Sequence, residues 1–116
     1  MKIEKVVKIA EAVKSVEESK LDFKVAYRLG RILDKCESIV KQYQKQEMKL
    51  REEYGEKFKN ASEEEKQNIT REFNLKLIEL IEMEEDVVIP SFDLKDFEGK
   101  DVPVKFFTAF GDYINE

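Results

Sequence analysis

Apolar residues recur every three or four positions along most of the chain, as they do in amphipathic helices. The first such stretch covers residues 3 to about 17, with Ile3, Val6, Ala10, Val13 and Val16 on its apolar face. The second begins after Asp22, a residue type favoured at helix N-caps, and ends at Tyr54, where Gly55 suits the position just beyond a helix C-terminus. We therefore predict one long helix from Asp22 to Tyr54. Its apolar face follows a heptad spacing broken by a single glutamate, and comprises Ala26, Leu29, Leu33, Cys36, Val40, Tyr43, Glu47, Leu50 and Tyr54.

A third helix is predicted over residues 63–84. Ser62 and Glu65 have the spacing of a capping box, which marks a helix N-terminus. Because the link to the second helix is short, we expect the two helices to pack antiparallel as a hairpin. The predicted apolar face consists of Ile69, Phe73, Leu77, Leu80 and Ile81.

A short fourth helix is predicted over residues 103–114, after a turn at residues 97–100. Pro103 suits its first position, because the missing N–H of proline would be unpaired there in any case. The residues expected to share a face are Val104, Phe107, Phe110 and Ile114.

Residues 86–97 fit none of these helices. They are rich in β-branched and aromatic residues and contain Pro90, which favours extended backbone. No second strand is evident. The segment could add to the sheet of a partner protein, pair with its own copy across a dimer axis, or lie along the hairpin and supply core. In a strand, the two faces would be Val88, Pro90, Phe92 and Leu94 on one side and Val87, Ile89, Ser91 and Asp93 on the other.

These elements predict an all-α protein, an antiparallel helical hairpin or small helical bundle with one long helix, a short extended or β segment near 86–94 and a short C-terminal helix. We expect residues 1–116 to form a single helical domain. At 1.5 Å per residue the second helix would be roughly 50 Å long, more than a core of this size covers. The predicted boundaries are about 3–17, 22–54, 63–84 and 103–114 for the helices, and about 86–97 for the extended arm.

The charge distribution is asymmetric. The net charge is −5, but residues 1–60 hold 15 Lys and Arg against 11 Asp and Glu, whereas residues 61–116 hold 6 against 15. A basic stripe opposite the apolar face of the second helix lacks interleaved aromatic residues, and the chain is acidic overall, so we expect no nucleic-acid partner. The stripe faces either solvent or an acidic protein, and consists of Lys24, Arg28, Arg31, Lys35, Lys45 and Lys49.

Residues suited to catalysis are scarce. The chain has no histidine, a single cysteine and no glycine-rich phosphate loop. Cys36 lies on the apolar face of the long helix, where a buried small hydrophobe is expected. Residues 52–56 and 79–82 resemble the acidic signatures of all-α nucleotide pyrophosphatases, but no later E-x-x-D completes a metal site. We therefore predict no enzyme, no metal and no cofactor, and keep a metal-dependent all-α nucleotide pyrophosphatase-like enzyme as the least favoured alternative.

No signal peptide opens the sequence, and no apolar run approaches the ~20 residues of a membrane span. The one cysteine cannot form an internal disulfide. The expectation is an intracellular protein that does not bind membranes.

The order of several stretches resembles a family of small tailed-phage and prophage proteins of unknown function. The resemblance runs through residues 21–29 (Leu-x-x-Lys-x-x-Tyr-x-Leu), 52–57 (Glu-Glu-Tyr-Gly-Glu-Lys), 72–80 (Glu-Phe-Asn-x-x-Leu-x-Glu-Leu) and 87–94 (Val-Val-Ile-Pro-x-Phe-x-Leu). It implies a phage or prophage setting in bacterial cytoplasm. The family supplies no catalytic residues.

The function predicted is a non-enzymatic protein–protein interaction, either as a phage assembly factor or as a binder of a host factor. The partner is a protein, and a homodimer is possible. The alternative is an inhibitor of a bacterial defence or host enzyme, which would present carboxylates to a basic groove. The candidate partner-binding residues are Val87, Val88, Ile89, Phe92 and Leu94 in the extended segment and Glu82, Glu84, Glu85 and Asp86 in the acidic turn before it.

Overall fold

The computed structural model describes all 116 residues and contains four α-helices and a two-stranded parallel sheet. The predicted all-α class, with a helical hairpin built on one long helix, is confirmed. The elements in chain order are α1 (Ile3–Lys14), α2 (Phe23–Lys59), α3 (Glu63–Ile81), β1 (Phe92–Asp93), a 3₁₀ helix (Leu94–Phe97), α4 (Val104–Phe110), a second 3₁₀ helix (Gly111–Tyr113) and β2 (Ile114–Asn115).

The molecule divides into a head and a projecting hairpin, and measures 58 × 23 × 22 Å. The hairpin is residues 39–81, the later part of α2 together with α3. The head is the rest of the chain. Of the 19 buried residues, Tyr54 is the only one that belongs to the hairpin. The hydrophobic core therefore lies in the head.

Helix α1 forms one wall of this core and packs against both α2 and α4. The predicted face of the first helix is confirmed, because every residue in it is buried, and Ile9 and Ala12 widen it. Lys5 Nζ donates a 2.8 Å hydrogen bond to the carbonyl oxygen of Ala109 in α4. The helix ends at Lys14, earlier than the predicted residue 17, and turns carry the chain to Asp22.

Asp22 is the N-cap of α2, as predicted, and its carboxylate accepts a 3.2 Å hydrogen bond from the backbone N–H of Lys24. The predicted end at Tyr54 is wrong, since α2 continues through Gly55 to Lys59. Gly55 keeps a helical backbone conformation and does not act as a cap. The chain leaves the helix only at Asn60.

The buried face of α2 differs from the predicted seam inside the head. Val25 and Ile32 are buried although the seam omits them, whereas Ala26 is exposed and Leu33 is half-buried. The reason is that α1 and the segment after α3 both pack on this part of α2, which rotates the covered face. Beyond residue 39 the residues of the seam pack against α3, as predicted, but most of them are only half-buried.

Helix α3 begins with the predicted capping box, in which Glu65 N–H donates to Ser62 Oγ and Ser62 N–H donates to a Glu65 carboxylate oxygen, both at 3.3 Å. It ends at Ile81, three residues before the predicted end. No residue of α3 is buried. Only α2 covers this helix along most of its length, and one neighbour cannot enclose a helix face.

Helix α4 begins at Val104, so Pro103 is its N-cap and not its first residue as predicted. The helix ends at Phe110 instead of residue 114. Its predicted face is wrong at the first position, since Val104 is 81% exposed. The buried residues are Phe106, Ala109 and Phe110. The rings of Phe106 and Phe110 stack on each other with centroids 4.5 Å apart. Phe106 also contacts Phe97 and Phe110 contacts Phe92, and these contacts outside the helix orient it in the head.

No helix in the structure is both long enough and apolar enough to cross a membrane.

Candidate functional site

The apolar residues predicted to bind a partner are divided between core and surface. Val87, Ile89 and Phe92 are buried in the core cluster of the head. Val88 is 77% exposed and Leu94 is also exposed. Two-residue alternation holds from Val87 to Ile89 and then shifts, so Phe92 does not share a face with Val88. Of the three arrangements left open by the sequence, the structure shows a segment that supplies core, in the head and not along the hairpin.

The extended segment does pair with another strand of the same chain. Phe92 lies opposite Ile114 and Asp93 opposite Asn115, in a parallel two-stranded sheet. The segment is also held by Arg28 of α2, whose Nη2 donates a 2.7 Å hydrogen bond to the carbonyl oxygen of Ser91. These contacts engage the backbone at the Ser91–Asp93 end of the segment.

The acidic turn that follows α3 is fixed by the first residues of the chain. An isolated antiparallel bridge joins Lys2 to Glu84, and the N–H of Glu85 donates a 2.7 Å hydrogen bond to the carbonyl oxygen of Met1. The Met1 ammonium lies 3.0 Å from a carboxylate oxygen of Glu84. The predicted acidic residues are exposed apart from the half-buried Glu85.

The basic stripe on α2 differs in two respects from its predicted form. Arg28 is half-buried and engaged with the extended segment, so it does not belong to a free stripe. Phe23 and Tyr27, beside it on α2, are exposed aromatic residues. The expectation that no aromatic residue accompanies these cations is therefore wrong at the first turns of the helix.

A groove opens between α2 and α3 near the far end of the hairpin. Its volume is about 260 Å³. We call it the distal groove; it is lined by Arg51, Tyr54, Gly55, Phe58, Ile69, Thr70 and Phe73. Gly55 lines this groove, and a Cβ atom placed on it would meet no other atom within 4 Å.

Aromatic rings and cations surround the distal groove. The Tyr54 and Phe73 ring centroids are 5.9 Å apart, and the Arg51 guanidinium carbon lies 5.5 Å from the Phe73 centroid. Lys66 Nζ lies 5.1 Å from the centroid of Phe58. An apolar floor with polar residues at the edge is typical of a site that receives a side chain of another molecule.

Glu47, the one polar residue of the heptad seam, takes part in a local hydrogen-bond network. Arg51 donates to Glu47 through both Nε and Nη2, at 3.0 and 2.7 Å. This hydrogen bonding lowers the pKa of Glu47, against the opposing effect of its partial burial. Burial and the nearby Glu47 carboxylate raise the pKa of Tyr43. A glutamate is thus accommodated in the seam because Arg51 pairs with it.

The groups weighed for catalysis lie in ordinary structural environments. Cys36 is fully buried in the head, and burial raises the pKa of its thiol. Glu53 pairs with Lys57 at 3.6 Å along the surface of α2. No group of three or more Asp, Glu, His or Cys side chains is placed to hold a metal ion.

No protein-family model matches this chain, and no curated protein or solved structure is significantly similar to it.

Sequence reasoning did not find the distal groove. The available signal was a glycine between two aromatic residues, Tyr54 and Phe58, spaced four apart on one helix face. The glycine favours a helix end at Tyr54, so the predicted helix excludes Phe58.

Proposed function

We propose that this chain works by binding protein and not by catalysis, and that the hairpin is its binding part. The observation that carries the proposal is that the apolar residues between α2 and α3 are only partly covered. Tyr54 is the only buried residue of the hairpin, and none of α3 is buried. A pair of helices that projects from its core and leaves apolar surface uncovered is suited to receive a further helix or side chain.

The distal groove is an apolar recess on this hairpin. Its aromatic lining favours an apolar or aromatic side chain of the partner, and aromatic anchors in such pockets often dominate binding energy. The sequence resemblance to tailed-phage and prophage proteins supports a partner encoded by a phage or by its bacterial host. Assembly of phage particles and capture of a host factor both fit this proposal.

Site-specific photo-crosslinking in bacterial cells tests it. A photoreactive residue replaces Thr70, which is exposed at the groove. In a second form of the chain, used for comparison, the photoreactive residue replaces Lys35 on the outer face of α2. We expect protein adducts at Thr70 that disappear when Gly55→Leu fills the groove. Mass spectrometry of each adduct distinguishes another protein from a second copy of this chain.

Gly30→Leu is the matched control, because Gly30 also lies in α2 and a Cβ there also meets nothing within 4 Å. Adducts that persist in Gly55→Leu, or that vanish equally in Gly30→Leu, would count against the distal groove. An absence of Thr70 adducts in phage-infected and uninfected cells alike would count against the function.

Inhibition of a bacterial defence or host enzyme is the second candidate. It is favoured by exposed carboxylates next to exposed apolar residues after α3, as at Asp86 and Val88. A complex formed through this acidic turn should weaken strongly in molar salt, because exposed charge pairs are screened. Binding that is indifferent to salt would contradict the inhibitor role.

A further inference from the structure

The outward face of α3 carries a second heptad pattern, distinct from the face that packs on α2. Arg71, Leu75, Ile78 and Glu82 follow one another at steps of four, three and four residues, and therefore lie along one side of the helix. All four are exposed, Leu75 at 57% and Ile78 at 48%. This side of the hairpin thus presents an apolar pair with a cation before it and a carboxylate after it.

Neither charged residue has a partner within the chain. Arg71 and Glu82 take part in none of its ion pairs. They are about 16 Å apart along α3, at 1.5 Å per residue, and cannot reach each other. Glu82 is the C-cap of α3, whose last turn holds no basic residue. A carboxylate there opposes the helix dipole, so a cation brought from outside would be stabilising.

We propose that a second copy of this chain packs antiparallel against this face, about a twofold axis between Leu75 and Ile78. In a contact with twofold symmetry, each pair of residues occurs twice: if one residue of the first copy touches a second residue of the other copy, the same two residues also touch with the copies exchanged. The register that places Leu75 against the partner's Ile78 also places Arg71 against the partner's Glu82. This follows because Arg71 lies four residues before Leu75 and Glu82 lies four residues after Ile78.

Charge complementarity is what selects a second copy as the occupant. Each Arg71 would meet a carboxylate and also the negative end of the partner's α3, so both isolated charges are neutralised by one symmetric contact. The inference rests on the proposed function in taking the hairpin as the binding part of the chain. It assigns the outward face of α3 to self-association and leaves the distal groove, on the opposite side of α3, to another protein.

The contact is small, and Glu72 and Glu79 bring like charges close to it. Interfaces at the low end of the size range are weak and transient. We therefore expect a monomer–dimer equilibrium that depends on chain concentration, between low micromolar and near-millimolar, and not a permanent dimer.

Sedimentation equilibrium of charge-swapped chains tests the register. Arg71→Glu places two carboxylates together at each end of the contact, and Glu82→Arg places two cations together, so each variant alone should associate about tenfold more weakly. The double variant restores opposite charges and should dimerise like the original chain. An equimolar mixture of the two single variants should form a heterodimer, because the glutamate introduced at position 71 of one chain then meets the arginine introduced at position 82 of the other.

Arg31→Glu and Glu52→Arg are the matched controls, since both residues are exposed on α2 away from this face. They should leave the dimer unchanged. Circular dichroism of each variant verifies that the helices are intact. A chain that is monomeric at every concentration would overturn the inference, and so would a dimer that is indifferent to both swaps or a mixture that does not associate.

These failures are distinguishable from failure of the proposed function. The crosslinking experiment reports on the distal groove, which lies on the opposite side of α3 from Leu75 and Ile78. Loss of self-association would leave groove adducts intact, and absence of groove adducts would leave the charge-swap result intact.

Discussion

The guanidinium carbon of Arg28 lies 4.3 Å from the centroid of the Phe92 ring, while its Nη2 donates to the carbonyl oxygen of Ser91. One side chain of α2 thereby joins the long helix to the segment that follows the hairpin. The contact combines a cation–π interaction with a hydrogen bond from a charged donor. It holds Phe92 over the core and fixes the backbone beside β1.

We expect Arg28→Ala to lower the free energy of unfolding by about 1–2 kcal/mol, because both interactions are lost and Phe92 gains access to water. Urea denaturation followed by circular dichroism measures the change. Arg31→Ala is the control, since Arg31 is exposed and should change stability by less than ~0.5 kcal/mol. If Arg28→Ala and Arg31→Ala changed the free energy of unfolding equally, the contacts of Arg28 with Ser91 and Phe92 would not stabilise the fold.

Substitution of Phe92 should destabilise the protein far more than substitution of Val88. Phe92 is 1% exposed and packs against Phe97 and Phe110, so Phe92→Ala should cost about 3–5 kcal/mol. Val88→Asp should change stability by less than ~0.5 kcal/mol, because its side chain lies in solvent. Thermal unfolding of both variants checks this. A Val88→Asp chain that fails to fold would mean that this side chain is covered, contrary to the structure.

The helix starts and the extended segment show how far the sequence could predict the fold. Helix starts were predictable because the signal is local: Asp22 caps α2, and Ser62 with Glu65 starts α3. The pairing of Phe92 with Ile114 was not, because it depends on where α4 returns the C-terminal end of the chain. Alternation along the segment predicted one continuous strand, and the shift between Ile89 and Phe92 arises from the tertiary contacts of Phe92.

The end of α2 illustrates a competition between local and tertiary energies. Glycine within a helix costs about 1 kcal/mol relative to alanine, which favoured an end at Gly55. The extra turn adds helical hydrogen bonds and places Phe58 next to Lys66 of α3. No rule based on one residue could weigh these terms, so the distal groove, which depends on this turn, was missed with it.

Replacing the helical glycines should stabilise the protein. Gly30 and Gly55 both lie within α2, and an added Cβ at either position meets nothing within 4 Å. We expect Gly30→Ala and Gly55→Ala each to raise the free energy of unfolding by about 0.4–1 kcal/mol, because alanine reduces the entropy of the unfolded chain. Chemical denaturation measures both gains.

Gly99→Ala is the contrasting variant, since Gly99 has a φ of +73° that alanine adopts only with strain. It should destabilise the protein. A loss of stability in Gly55→Ala comparable to that in Gly99→Ala would indicate that the backbone at Gly55 is not helical.

The Glu47–Arg51 pair predicts a specific dependence of stability on pH. Hydrogen bonding from Arg51 lowers the pKa of Glu47 in the folded chain, so folding favours the ionised carboxylate. Its contribution is therefore complete above the ordinary glutamate pKa of 4.5 and is lost as pH falls through the lower folded value. Glu47→Gln keeps the shape but removes the charge, and should cost about 0.5 kcal/mol near neutral pH, as is usual for a pair spaced four apart on a helix.

The measurement is the difference in unfolding free energy between the original chain and Glu47→Gln, from urea denaturation at a series of pH values. We expect a constant difference from pH 7 to about pH 5 that shrinks toward zero below pH 4.5, because protonated glutamate and glutamine then resemble each other. Glu52→Gln removes one charge from the same helix at an exposed residue that takes part in none of the chain's ion pairs, and so measures the effect of net charge alone. A difference for Glu47→Gln that grows as pH falls would reverse the sign of the coupling and rule out stabilisation of the ionised carboxylate by Arg51.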